Sequence, residues 1–380
     1  MRATSWLIVL GCCCVETIAL GQDAAVPASA PATTQPGITL VNLHLKQAVP
    51  EDVFFMLGKQ GGIKFAPNGN VWDQEAMQVP NDVDFTNRPF WQAVHEVCGM
   101  WHVTLQNDFN SGRRLMVNAP QMSPNGQTWH ALPTSESDGF VVEAVGFNQS
   151  INYGNPAGNS CGVQLRTYVD PSLRVQTFNG VAKVLEAADE AGHSMLLEHA
   201  NGMFYGGGMQ QRSFVFDCSV PLKYPPENAG KKIAHLKCIL QLRAGDKMDS
   251  MVVEDPLKSP QVNKEFGDLR VTFRSLKKQG PSNYELKLTI THNDDDGRGG
   301  NSDWPMMQSA QLLDSMGRSF VNGGGGGGSS RNGVYNYTVN YNAPGGEDAP
   351  SGDPAKWVIE LPTNTHVMRV PVEFSDLPMP

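Results

Sequence analysis

From residue 139 to the C-terminus, apolar side chains recur at every second position in one run after another, a period that fits a half-buried strand and no helix. In YELKLTI, at 284–290, Tyr284, Leu286, Leu288 and Ile290 fall on one face. FVFDCSV carries Phe214, Phe216, Cys218 and Val220 on one side, and HLKCILQL does the same with Leu236, Cys238, Leu240 and Leu242. The 39 glycines and 26 prolines among 380 residues interrupt such runs often, so short strands joined by turns are expected and long helices are not. At this length the chain is expected to form more than one domain and to be mainly β.

This strand-rich part contains a repeat. DEAGHSM at 189–195 and DSMGRSF at 314–320 share D-x-x-G-x-S followed by an apolar residue, 125 positions apart. Asp and Gly in those places suit a turn between two strands. VQLRTYV (163–169) parallels YELKLTI, VPLKYP (220–225) parallels WVIELP (357–362), and KCILQL (237–242) parallels RVPVEF (369–374). The second copy has gained about a dozen residues, and NGGGGGGSSRNG at 322–333 lies there. Six glycines cost much backbone entropy to order, and no helix or Lys-Ser pair follows, so this segment reads as a loop and not as a phosphate cradle. Each copy, about 110 residues with six or seven short strands, has the sequence appearance of an immunoglobulin-like β-sandwich. The two sandwiches are placed at 139–250 and 263–380.

Residues 38–119 have a different character. ITLVNLHL alternates, PEDVFFMLGKQGG opens on proline and closes on glycine like a short helix, and IKFAP and VPNDVDF read as strands. RPFWQAVHEVCGMW sets Phe90, Val94, Val97 and Trp101 on one helical stripe, and HVTLQND with RRLMVNA supplies a closing hairpin. The result is a β-α-β-β-α-β-β unit of about 80 residues. Through VNLHLKQAVPEDVFFMLGKQGGIKF and VDFTNRPFWQAVHEVCGMWHVTL this unit resembles the STN domain, the short N-terminal module of secretins and TonB-dependent transducers. That resemblance implies a small α+β domain that docks on partner proteins of the cell envelope and carries no catalytic residues. Neither a secretin body nor an outer-membrane barrel follows it, so secretin export and TonB-linked transport do not carry over. The whole arrangement is similar to uncharacterised exported bacterial proteins, a likeness that implies no activity.

The N-terminus, MRATSW followed by LIVLGCCCV and ETIALGQD, looks like a signal peptide over 1–21. It is too short and too interrupted, with Glu16 inside it, to span a membrane. V9-L10-G11-C12 also resembles a lipobox, which would anchor the chain at Cys12. An Ala/Pro-rich linker at 22–37 follows. The expected location is periplasmic or extracellular, with no spanning helix in the mature chain.

The formal net charge of −9, with no basic run, makes nucleic acid a poor partner. The mature chain keeps Cys98, Cys161, Cys218 and Cys238. Cys218 and Cys238 are both expected to point into one core. In an oxidising compartment they would form a disulfide if their strands are neighbours; otherwise they would pack as free thiols.

Several motifs suggest chemistry. GNSCG at 158–162 fits G-x-S-x-G, the nucleophile elbow, with Ser160 as the candidate nucleophile. The elbow needs a helix after the serine, whereas VQLRTYV reads as a strand, so a polar loop entering a strand is favoured. His95, Cys98 and His102 could line one helix edge as metal ligands, although zinc wants a fourth. The plainer reading packs Cys98 beside the apolar stripe, turns His95 to solvent and lets His102 start the next strand. HNDDDGRGGNSD at 292–303 gathers Asp294, Asp295, Asp296 and Asp303, weak candidates for calcium, yet His292 stands where an EF-hand needs an acid. Trp91, Trp101, Trp304 and Trp357 are expected in cores, or on a sugar-binding platform if exposed. The functional expectation is an exported, non-catalytic envelope protein with no cofactor, calcium aside, in which the STN-like module binds a partner and the sandwiches act as scaffold. Its alternatives are a calcium- or carbohydrate-binding adhesive module and a serine hydrolase centred on Ser160.

Overall fold

In the computed structural model of the protein, the residues described are 38–107, 114–119, 132–137, 139–155, 159–178, 180–197, 214–225, 230–245, 247–267, 269–292, 310–324, 329–331, 333–343, 350 and 352–379. The segments expected to be signal peptide (1–21) and linker (22–37), together with Asp294, Asp295, Asp296, Asp303 and Trp304, lie outside them. The described residues form 22 strands and two α-helices, a mainly β fold with several sheets.

The first unit follows the order read from the sequence: β1 (Leu40–Ala48), α1 (Pro50–Gly61), β2 (Lys64–Pro67), β3 (Asn81–Pro89), α2 (Phe90–Trp101), β4 (Thr104–Asn107) and β5 (Arg114–Asn118). Two short 3-10 turns, Val71–Asp73 and Glu75–Gln78, stand between β2 and β3. Pro50 opens α1, where its missing N–H costs no bond, and Gly62 stops it at φ 63. β1 and β3 pair antiparallel, with Leu43 opposite Phe85. β5 sits between β2, which is parallel to it, and β4, which is antiparallel. The helices pack on each other, α1 against β1 and β2, and α2 against β3.

The first sandwich has one sheet of β6 (Thr134–Ser137), β7 (Phe140–Ser150), β8 (Ser160–Val169) and β11 (Val215–Leu222). Its other sheet holds β9 (Arg174–Phe178), β10 (Lys183–Asp189) and β12 (Lys232–Gly245). The second is built from β13 (Lys247–Glu254), β14 (Val262–Phe266), β15 (Leu269–Lys278), β16 (Asn283–His292), β17 (Gln311–Leu313), β18 (Ser319–Asn322), β19 (Ser329–Arg331), β20 (Val334–Asn342) and β21 (Lys356–Thr363). These nine form a continuous ladder, with β18 joining the β13-β21-β17 part to the β20-β16-β15-β14 part. The last strand, β22 (His366–Pro378), completes the first sandwich by pairing with β12.

The strand path therefore differs from a division into 139–250 and 263–380. β12 leaves the first sandwich and continues as β13, which pairs with β21. β21 leaves the second and continues as β22, which pairs with β12 through Leu236–Phe374, Cys238–Val372 and Leu240–Val370. The second sandwich is thus inserted between β12 and β22, and the first takes its closing strand from beyond the insertion. KCILQL and RVPVEF, read as counterparts in two copies, are hydrogen-bonded neighbours in one sheet. The repeat was misaligned there because alternating apolar strands of similar length are interchangeable in a single sequence. At the crossing Gly245 is required, since a Cβ there would stand 2.3 Å from the Thr363 carbonyl oxygen.

The D-x-x-G-x-S repeat does build the same turn twice. Asp189 N–H donates to the His193 carbonyl and Gly192 N–H to the Asp189 carbonyl; Asp314, Arg318 and Gly317 reproduce both bonds. Gly192 and Gly317 take φ 86 and 79, where other residues are strained. Each aspartate is buried and turned back on its own turn. Asp189 accepts from the backbone of His193 and Gly230 and lies 2.9 Å from His193 Nδ1. Burial alone would raise its carboxyl, but these donors outweigh that and hold it at about 2. Asp314 accepts from the backbone of Met316 and Arg318 and from Arg318 Nε. Asp314→Ala leaves those donors without their acceptor, so denaturant unfolding should show a loss of about 2 to 3 kcal/mol. A change below 0.5 kcal/mol would mean that the turn holds through its backbone bonds alone.

Candidate functional site

The densest cluster of shifted titratable groups lies where α2 meets the outer face of the β7-β8-β11 sheet. α2 is amphipathic on two sides. Phe90, Val94, Val97 and Trp101, the expected stripe, are buried inside the α/β unit, while Trp91 and His95 face the sandwich. The core does not close at residue 119: Val141, Tyr168, Phe214 and Val215 of the sandwich complete it. Trp91 Nε1 donates to the Val169 carbonyl at 2.7 Å. Thr39 gives its N–H and its hydroxyl to Asp170, at 2.8 and 2.7 Å. The unit is therefore clamped to the C-terminal end of β8 and to the turn beyond it.

At the centre of the seat, His95 stands edge-on to Tyr168 with ring centroids 4.5 Å apart. Its Nδ1 is 3.4 Å from Glu143 Oε1, and the Tyr168 hydroxyl donates to Glu143 Oε2 at 3.0 Å. His95 Nε2 is buried without a hydrogen-bond partner among the described residues. Burial drops the His95 imidazole from its ordinary 6.5 to about 4. Burial raises the Glu143 carboxyl above its usual range, with the Tyr168 bond and Arg166 pulling the other way. Cys98 is pushed up by burial first and then by Glu143. Register puts Glu143, Arg166 and Asp217 side by side across three strands, and Arg166 Nε donates to Asp217 at 3.0 Å. Chemically this is a clamp with a proton-binding centre, and it lies on both a helix and a sheet.

The structure separates most of the residues that the sequence brought into question. Ser160 opens β8 opposite Ser150, so a strand follows it where an elbow needs a helix. His95 is turned to the sheet and not to solvent, because Trp91, four residues before it, draws that side of α2 inward. His102 caps the helix at φ 56 and is exposed, away from any shared ligand position with His95. Among the described residues no three His, Cys, Asp or Glu side chains gather as a metal ion would need. Cys218 and Cys238 do point into one core, but β11 and β12 lie in opposite sheets and the two are free thiols. The condition for the disulfide, neighbouring strands, is not met. Trp91, Trp101 and Trp357 are buried.

Two surface features had no signal strong enough to be read from the sequence. On α1, Phe55 is 61% exposed with the Lys59 ammonium 4.4 Å from its ring centroid, and Met56 beside it is also exposed. At one end of the second sandwich, Lys278, Pro281, Ser282, Phe320, Pro350 and Asp353 line an open cavity of about 320 Å³. There Lys278 Nζ and the Tyr284 hydroxyl both donate to Asp353 Oδ1, at 2.5 and 3.0 Å. No helix among the described residues is long and apolar enough to cross a membrane.

No protein-family model matches the chain, and no curated protein sequence does. Among solved structures, a conserved domain protein from Bacillus anthracis aligns over 64% of this chain and 89% of its own at 10% identity. Its TM-score of 0.17 is too low to carry a conclusion about fold or function.

Proposed function

We propose that this is an exported, non-catalytic cell-envelope protein whose STN-like α/β unit binds a partner protein, with the two interlocked sandwiches as its rigid mount. The observation that carries this reading is the outer face of α1. A phenylalanine 61% exposed, next to an exposed methionine, lies on the surface of a unit whose other described large aromatics are buried or half-buried. Apolar side chains kept at the surface of a short helix, with a lysine over the ring, suit a protein interface more than a folding role. The clamp to the sandwich supports the second half, because it fixes the direction in which that face points. A photo-crosslinking residue placed at 55 in the full chain should trap one discrete envelope protein, whereas the same residue at the exposed Lys277 should not. Phe55→Glu should weaken capture at least tenfold and leave circular dichroism unchanged; equal trapping at both positions would count against the reading.

A second reading has one observation in its favour. The cavity at Lys278 and Asp353 offers a paired donor and acceptor beside prolines, chemistry that suits a hydroxylated ligand such as a sugar. Binding of a monosaccharide panel by calorimetry, lost in Asp353→Ala, would move the assignment to a carbohydrate-binding module. The hydrolase reading has no such support, since Ser160 enters a strand.

A further inference from the structure

We propose that the seat of α2 on the first sandwich is an acid-sensitive joint, opened when His95 takes up a proton. Geometry makes the case. His95 lies on the helix that fastens one folded unit to another, its Nε2 has no hydrogen-bond partner among the described residues, and its ring is walled by Tyr168. A cation formed there is poorly solvated while the seat is closed, because the side chain keeps only 16% of its exposure and Nε2 itself is buried. Once the seat opens, the same imidazole is hydrated and binds its proton at the ordinary value.

The groups facing His95 determine whether its charge could be neutralised in place. On its own helix the neighbouring titratable group is Cys98, whose thiol is held protonated by burial. From β7 comes Glu143, and from β8 come Tyr168 and Arg166; on β11, Asp217 is occupied by Arg166. Among the described residues Glu143 is therefore the single carboxylate within reach, and burial favours its neutral form. On acidification Glu143 takes its proton before His95 does, so the histidine is charged in the closed seat beside a neutral acid. Glu143 acts in the opposite sense on the equilibrium, because it holds its proton more tightly closed than open. The histidine contributes stability to the closed seat above about pH 6.5, and loses it as pH falls toward about 4. The glutamic acid gains stability for the closed seat over a lower window that begins at its raised value and ends near 4.5.

The sign can be read by hydrogen exchange of the full chain between pH 7 and pH 5, expressed as protection factors so that the chemistry of exchange itself cancels. Strand β16 of the second sandwich serves as internal reference. Protection of the α2 amides should fall relative to β16, by about twentyfold if His95 acts alone and by less with Glu143 opposing it. Glu143→Gln removes the opposing group and should steepen the fall. His95→Leu should abolish it, and with Glu143 still present the profile should be flat or rise slightly. A wild-type profile that does not change, or an equal fall in His95→Leu, overturns the proposal. Circular dichroism at pH 7 establishes that each variant is folded, and Glu143→Gln keeps the test decisive if the leucine variant is not.

Discussion

A chain ending at Thr365 should fail to form the first sandwich. The lost segment is β22, which supplies Val370, Val372, Phe374 and Leu377 to that core. Burial of each such side chain stabilises by about 1.5 to 3 kcal/mol, so the four together approach about 6 to 12. A domain of this size is stable by only about 5 to 15 kcal/mol in all. The truncation also exposes the full length of β12 as an open edge, and such an edge pairs with other chains. Expression should yield aggregated protein with no cooperative transition for the first sandwich. A synthetic peptide of residues 366–379, added during refolding, should restore soluble protein by taking the vacant strand position. A truncated chain that melted like the parent would refute the return of β22 to the first sandwich, which defines this architecture.

Trp91→Ala should be the most damaging single substitution at the joint. The side chain is 2% exposed and packs against Phe90 and Tyr168 at centroid distances of 5.0 and 5.1 Å. Truncating a buried tryptophan costs about 3 to 5 kcal/mol, partly as lost burial and partly as the cavity left behind. Here the Val169 carbonyl also loses its donor, which adds the desolvation cost of an unpaired acceptor. Denaturant unfolding followed by circular dichroism should show that loss, and proteolysis should cut first within 38–119. Trp91→Phe keeps a ring but not the N–H, and should lose about 1 kcal/mol for the bond plus a smaller packing loss. An alanine variant within 1 kcal/mol of the parent would mean that the α/β unit is held elsewhere.

How much of this could be read from the residues alone differs from element to element. The stripe of Phe90, Val94, Val97 and Trp101 was legible because a helix repeats every 3.6 residues whatever surrounds it. The second stripe was present too, as Trp91, His95 and Cys98 four and three apart, but a histidine and a cysteine on a helix do not announce which surface covers them. The turns at Asp189 and Asp314 were legible because glycine at positive φ is a local requirement. The Ser160 motif could be set aside from its following strand, and the structure places that strand at 160–169. The acidic loop at 292–303 lies mostly outside the described residues, so its calcium reading stands where the sequence left it.

Period-two alternation, helix starts and stops, and the repeated turn are properties of neighbouring residues, and the chain specifies them by steric and solvation rules that act within a few positions. Which strand lies beside which is a different matter. β12 pairs with β22 across more than a hundred residues, and nothing in either strand distinguishes that partner from several others with the same alternation. The return of β22 to the first sandwich, the clamp of α2 on the sheet and the packing of His95 against Glu143 all depend on such distant contacts. They were settled by packing, since only one arrangement of similar strands buries every apolar face and pairs nearly every polar group at once.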